Sequence, residues 1–298
     1  MTHAASSLPA SLTASKPSHS RRRSRFGWYT VLFHITCILV ALLFLAPILL
    51  VLLASFRPPA MVGNGFLSLQ GLDLSNYGRL ENFGAGILHY SGNSLFVAFA
   101  TAILTIFVSV FAGYGFSRFR FPLKSLAFVL ILSTIMVPFQ SILTPLFLIL
   151  VKLGLQNTLS GLVFIYVTLQ LPFSVFMMRN AFDAVPKEIE EAARIDGVKG
   201  LRSLIYVMGP LVFPGIVSVG LFAFLNAWNE FLAALVLLTD QDRYTLPVLV
   251  TAVRSGHYGS IDWGAVQAGV TVMMIPCLIL FVTLQRFYIR GLTAGAVK

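Results

Sequence analysis

Glu230 is the only carboxylate set deep inside an apolar stretch of this 298-residue chain. A lone carboxylate at such a place costs about 2.5–3.5 kcal/mol on insertion scales, so it must face a cavity or a partner group. Asn226 and Asn229 lie within four residues of it, near one face of a helix. That trio can line a path and hydrogen-bond the hydroxyl groups of a passing solute. It can equally clamp one helix to another at a subunit interface. Gln140, in an earlier apolar stretch, is costly in lipid and is expected to face the bundle interior.

A second run of chemistry-bearing residues is Glu190-Glu191-Ala192-Ala193-Arg194-Ile195-Asp196-Gly197. Pro186 suits a first helical position, where its missing N–H would have no partner anyway. Glu188, Glu190 and Glu191 then sit near the positive end of the helix dipole. Glu190 and Arg194 are spaced to pair along one face. Ala192 and Ala193 let another surface come close, and Gly197 permits the left-handed turn that ends a helix. Asp196 is expected to N-cap a second short helix from Leu201 to Tyr206. The result is a charged helix–turn–helix at a membrane surface.

Other chemistries find no residue set. His3, His19, His34, His89 and His257 are scattered, and Cys37 and Cys277 lie in apolar stretches without metal or disulfide spacing. The chain has no Gly-x-x-x-x-Gly-Lys-Ser/Thr loop for ATP and no nucleophile–base pair, so it reads as a non-enzyme that binds no cofactor or metal.

The elements that must hold these residues follow from composition. Hydrophobic residues make up 57% of the chain, charged residues only 11%, and mean hydropathy is +0.85. That is an integral membrane protein. Six stretches reach the length of about 20 residues needed to cross a bilayer, at about 27–55, 93–117, 125–151, 157–179, 209–238 and 264–288. They lack strict alternation, which makes this an all-α membrane protein of six transmembrane helices, with the charged helix–turn–helix between helices 4 and 5. Pro138 and Pro145 predict a kink in the third helix.

The net charge of +10 invites a nucleic-acid reading. Its distribution points instead to membrane insertion. Most Lys and Arg fall in segments on one side, among them Arg21–Arg23, Arg118, Arg120, Lys124, Arg179, Lys199, Arg202 and Arg286. The positive-inside rule then puts both termini in the cytoplasm. Residues 1–26 read as a disordered basic tail that meets anionic lipid, and residues 27–298 as the membrane domain. The apolar stretch after the tail is too long for a signal core, so it is a retained anchor.

The Glu-Ala-Ala run, with Gly197 and with Pro210 about a dozen residues on, resembles the EAA loop of ABC importer permeases. Gly209 stands where leucine is usual there. Three further stretches are similar to the carbohydrate-uptake permeases. One is Gly113-Tyr114-x-x-x-Arg118, with Gly113 in place of alanine. Another is Val137-Pro138-Phe139-Gln140, followed by Thr144-Pro145. The third is Trp228-Asn229-Glu230-Phe231, with Glu in place of Asp. Tyr244-Thr245-Leu246-Pro247 and the tail from Gly291 to Lys298 add to the likeness, which covers nearly the whole chain beyond residue 27.

The resemblance is to the second permease of the maltose-importer-like class. It implies a path in the cell inner membrane for a sugar or polyol. It also implies a heterodimer with another permease subunit, two ATPase subunits that carry the ATP and Mg, and an extracytoplasmic substrate-binding protein. The EAA-type loop would dock on the ATPase. Read from the residues alone, Trp228 could stack on a sugar ring, although it points roughly away from Asn226. The competing reading is an ion-coupled secondary carrier, which calls for coupling carboxylates in related halves, where this chain offers Glu230 alone.

Overall fold

The computed structural model describes residues 28–57, 71–255 and 261–294, and all regular structure among them is helical. The expected basic tail and the last four residues lie outside the described set. Residues up to Pro47 form one unit and Ile48 onward another. Helix α1 (Trp28–Ser55) is apolar throughout and supplies the described part of the first unit.

Within the second unit, α2 (Ser75–Glu81) is a short helix that follows the first span. Its Asn76 is fully buried. The Asn76 amide donates to the carbonyls of Ser55 at 2.7 Å and Arg57 at 2.8 Å, closing the open C-terminal end of the first span. Gly264 passes so close that a Cβ there would collide with Asn76 Oδ1. Arg79 pairs with Asp262 at 2.9 Å beside it.

Helix α3 (Ile87–Arg118) starts earlier than the expected 93, because its polar first turns have partners. His89 Nε2 lies 2.7 Å from the Asp242 carbonyl, and Asn93 donates to the carbonyls of Asp242 and Tyr244. The third span is broken rather than merely kinked. Helix α4 (Lys124–Ser133) passes through a tight turn at Thr134–Met136 into α5 (Phe139–Lys152), and the two halves are bent by 104°. The break falls at Pro138, which lacks an N–H, while Pro145 is accommodated inside α5.

Helix α6 (Leu159–Asp183) is capped by Thr158, whose hydroxyl accepts from the Gly161 N–H at 3.0 Å. After α7 (Lys187–Ile195) and a turn, the chain re-enters the membrane through a π-helical segment, Ser203–Met208, continuous with α8 (Gly209–Asn229). The expected span 209–238 is therefore displaced: it begins before Gly209 and breaks at Glu230, beyond which α9 (Leu232–Leu237) resumes. The wide π turn lies just ahead of Pro210, which cannot donate to the preceding turn. Helix α10 (Leu246–Ser255) occupies part of the stretch expected to be an outer loop, and α11 (Trp263–Ala294) is the last span.

Among the described residues, five helices are continuous and apolar enough to cross a membrane, and the bent pair α4–α5 makes a sixth crossing if taken as one span. The main core joins α3, α6, α8, α9, α10 and α11 around Tyr90, Val97, Leu162, Trp228, Leu246 and Leu249. A second cluster gathers Tyr114, Met178, Phe182, Val185, Leu204, Met208 and Val212. Gly113 permits its tight packing, since a Cβ there would lie 2.6 Å from the Met178 Cβ.

Candidate solute cavity and coupling loop

The break between α8 and α9 opens a cavity of about 470 Å³. Asn226, Asn229 and Glu230, the trio singled out in the sequence, line it, joined by Thr101 from α3 and by Tyr166 and Gln170 from α6. Glu230 leaves helical geometry (φ −73°, ψ 130°) and turns its carboxylate onto the start of α9. It accepts from the Ala233 N–H at 3.0 Å and the Ala234 N–H at 3.4 Å. The Tyr166 hydroxyl donates to Oε2, the oxygen that also accepts from Ala234, at 2.5 Å. The intramembrane charge is thus met by a helix N-terminus and a phenol.

Asn226 donates to Gln170 Oε1 at 2.7 Å, and Asn229 donates to the Leu225 carbonyl at 2.8 Å. Both asparagines remain exposed in the cavity wall. Thr101 Oγ1 is buried there without a hydrogen-bond partner among the described residues. The wall therefore offers amide donors and acceptors, a hydroxyl and a committed carboxylate, a set suited to a hydroxyl-rich solute.

Two sequence expectations fail here. Gln140 does not join the cavity. The bend at Pro138 carries it to the exposed surface at the start of α5. Trp228 is not available for stacking. It is 1% exposed, lies parallel to Phe224 with ring centroids 5.9 Å apart, and donates from Nε1 to the Met273 carbonyl at 2.9 Å. Its indole is core because it sits on the opposite side of α8 from Asn226. Tyr166 was missed, since a tyrosine inside an apolar helix carries no mark of a buried charge facing it. Gln170 carried a signal, being an amide in mid-span.

At the other end of the fold, α7 runs from Lys187 with Glu188 and Glu190 in its first turn. Pro186 stands at the N-cap, one place before the expected position. The helix closes in a Schellman turn. Val198 N–H donates to the Ala193 carbonyl at 2.9 Å and Gly197 N–H to Arg194 at 3.2 Å, with Gly197 at φ +85°. Asp196 is the C-cap of α7, not the N-cap of a second helix. Helical bonding resumes where the Leu204 N–H donates to the Gly200 carbonyl at 3.1 Å, and it is continuous with span 5 rather than forming a separate short helix.

The loop's charges divide sharply. Glu190 is 8% exposed. Its carboxylate accepts from the Tyr114 hydroxyl at 2.7 Å and lies 3.1 Å from Arg118 Nε. The expected partner Arg194 is only loosely placed, at 3.9 Å. Ala193 is buried against the bundle, whereas Glu191, Ala192, Arg194 and Asp196 face outward. Between them Ile195 is 88% exposed, an apolar side chain standing free on a charged rim. In the sequence Tyr114 and Arg118 figured only in the Gly113-Tyr114-x-x-x-Arg118 likeness and Arg118 in the basic skew. Their four-residue spacing on one helix face was the available signal.

Residues 105–294 match the family described as "Binding-protein-dependent transport system inner membrane component". That range holds the cavity residues of α6 and α8 and the whole of the α7 loop. Among similar proteins, the trehalose/maltose transport system permease protein MalG of Thermococcus litoralis is 34% identical over 90% of this chain and 96% of its own length. The diacetylchitobiose uptake system permease protein NgcG of Streptomyces coelicolor is 32% identical, over 91% and 89%. Among solved structures, a chain of a bacterial ABC transporter involved in import of the acidic polysaccharide alginate superposes with a TM-score of 0.76. It is 24% identical, and the match covers 88% of this chain and 96% of that one. On the family match and on relatives above 30% identity over most of its length, this chain belongs to the binding-protein-dependent transport system inner membrane components, the permeases of ABC transporters.

Proposed function

We propose that this chain is one of two different permease subunits of an ATP-driven importer for a sugar or related polyol. The observation that carries the reading is the α7 loop, which follows span 4 and presents Glu191, Arg194, Ile195 and Asp196 outward. A charged helix with a free apolar side chain is shaped to seat in a groove on another protein. Two ATPase subunits binding ATP and Mg supply that groove, and their closure moves the loop.

The substrate class is supported by the sugar names of the relatives and by the amide and hydroxyl lining of the cavity. Asn226 and Asn229 are the residues proposed to meet solute, with Gln170 holding Asn226 in place. Glu230 sets the shape of the site by fixing the helix break. The skew of Lys and Arg supports cytoplasmic termini, and an extracytoplasmic binding protein would then deliver solute to the face holding α2 and α10. An ion-coupled carrier is set aside by the family, and the ATP chemistry belongs to separate subunits.

The test is reconstitution of this chain with its companion permease, the ATPase and the binding protein in vesicles. Uptake should require ATP and all components. Uptake by this chain alone, driven by an ion gradient, would refute the proposal. A reporter fused after Lys298 checks the orientation: it should be protected from externally added protease in intact cells.

A further inference from the structure

We propose that Tyr114 and Arg118 are positioning residues that make α3 the receiver of the loop's movement, an inference that rests on the α7 loop being the part driven by the ATPase. The loop is covalently joined to α6 before it and to α8 after it. Neither is a stiff rod. Helix α6 carries Pro172. Span 5 begins with the π-helical Ser203–Met208 and then meets Pro210 and Pro214. Each proline removes a backbone hydrogen bond, and a π turn is a place where a helix yields.

Helix α3 differs from both. It runs unbroken for 32 residues without a proline. Its cytoplasmic end is fastened at three points, one on the last residue of α6, one on the linker before α7 and one on α7 itself. Ser117 donates to Asp183 at 2.6 Å, Arg118 Nη2 donates to the Val185 carbonyl at 2.7 Å, and Tyr114 with Arg118 holds Glu190. The last contact is buried: the side chains of Arg118 and Glu190 are 6% and 11% exposed. A buried ion pair separates only at high cost, so it transmits load where an exposed pair would slip. Thirteen residues further along α3, about 20 Å at helical rise, Thr101 stands in the cavity wall. One rigid element thus joins the loop to the solute cavity, while the covalent neighbours can flex.

The consequence is a division of labour between adjacent glutamates. Glu191 faces outward, toward the ATPase groove. Glu190 faces inward and hands the displacement to α3.

The test uses the complete reconstituted importer, with solute uptake and ATP hydrolysis measured on the same vesicles. Tyr114→Phe removes one hydroxyl and keeps the ring packed against Phe119 and Phe182. Arg118→Lys keeps the charge but cannot reach both Glu190 and the Val185 carbonyl as the guanidinium does. Each should lower solute moved per ATP by about tenfold while hydrolysis stays near the wild-type rate, as expected for losing a hydrogen bond to a charged partner. Glu190→Gln, which retains an acceptor for Tyr114, should fall between wild type and Arg118→Lys.

Unchanged uptake per ATP in Tyr114→Phe and Arg118→Lys would overturn the proposal. So would a parallel fall of uptake and hydrolysis in assembled complexes, because the contact would then serve only ATPase docking. A wild-type complex whose hydrolysis is not tied to uptake would instead defeat the underlying reading of the loop.

Discussion

The Tyr166 hydroxyl and Glu230 Oε2 stand 2.5 Å apart, linking α6 to the point where span 5 breaks. The same carboxylate caps α9 through the Ala233 N–H. One side chain therefore closes a helix start and ties two spans. Tyr166→Phe leaves the charge short of a donor in a membrane interior and should cost about 1.5–3 kcal/mol. Glu230→Ala loses the cap as well and should cost about 1 kcal/mol more. Thermal unfolding of the detergent-purified complex should rank wild type above Tyr166→Phe and Tyr166→Phe above Glu230→Ala. Equal midpoints for all three would show that the contact carries no stability.

Asn76 gives a second prediction with a chemical twist. Its amide donates to two carbonyls at the end of the first span. Asn76→Asp keeps the shape but replaces the donor with an acceptor, setting a carboxylate against carbonyl oxygens in a buried site. It should be worse than Asn76→Ala, which leaves those carbonyls unpaired at about 1–3 kcal/mol each. Yield and melting temperature of the assembled complex would reveal the order, and Asn76→Asp matching wild type would contradict it.

Gly197 offers a clean perturbation of the loop. Nothing lies within 4 Å of where its Cβ would sit, yet its φ is +85°. The Cβ of Gly197→Val therefore meets nothing within this chain, and the substitution introduces backbone strain of about 1–3 kcal/mol for a non-glycine residue held in this region. Membrane insertion should be normal while uptake by the assembled importer falls severalfold. Normal uptake with normal insertion would remove the Schellman turn from any role in coupling.

Trp228 and Asn226 are two residues apart and should fail in different ways. Trp228→Ala empties a buried core position and should cost about 3–5 kcal/mol, seen as loss of folded protein. Asn226→Ala frees Gln170 at the cavity wall and should spare folding while raising the solute concentration needed for half-maximal uptake. A well-folded Trp228→Ala complex with weakened solute affinity would return the indole to the solute path.

These cases show what the sequence made legible. Apolar length marked the spans, Pro138 marked where the third one gives way, and Gly197 marked the end of α7, because each depends on local rules of chain conformation. The polar trio at 226–230 was visible because charge is rare in lipid. What escaped were pairings set by packing. Tyr114 and Glu190 are 76 positions apart, and nothing near either names the other. Tyr166 and Glu230, 64 apart, are the same case. Gln140 and Trp228 were misassigned for a related reason. The polarity of a side chain states what it needs, while the bend at Pro138 and the rotation of α8 decide where it finds it.

The 104° bend between α4 and α5 has an implication for how the protein is made. Taken as one crossing, α4–α5 puts the bend midway between Lys124 and Lys152, at the depth farthest from water, with Ile135, Met136 and Val137 exposed. Peptide groups that leave helical bonding at that depth cannot rest against acyl chains and are tolerated only against protein or a water-filled space. A freshly synthesised orphan copy is consequently an unfinished object in the bilayer. Its cellular abundance should follow that of whichever subunit shields the bend, and surplus copies should be cleared by membrane proteolysis.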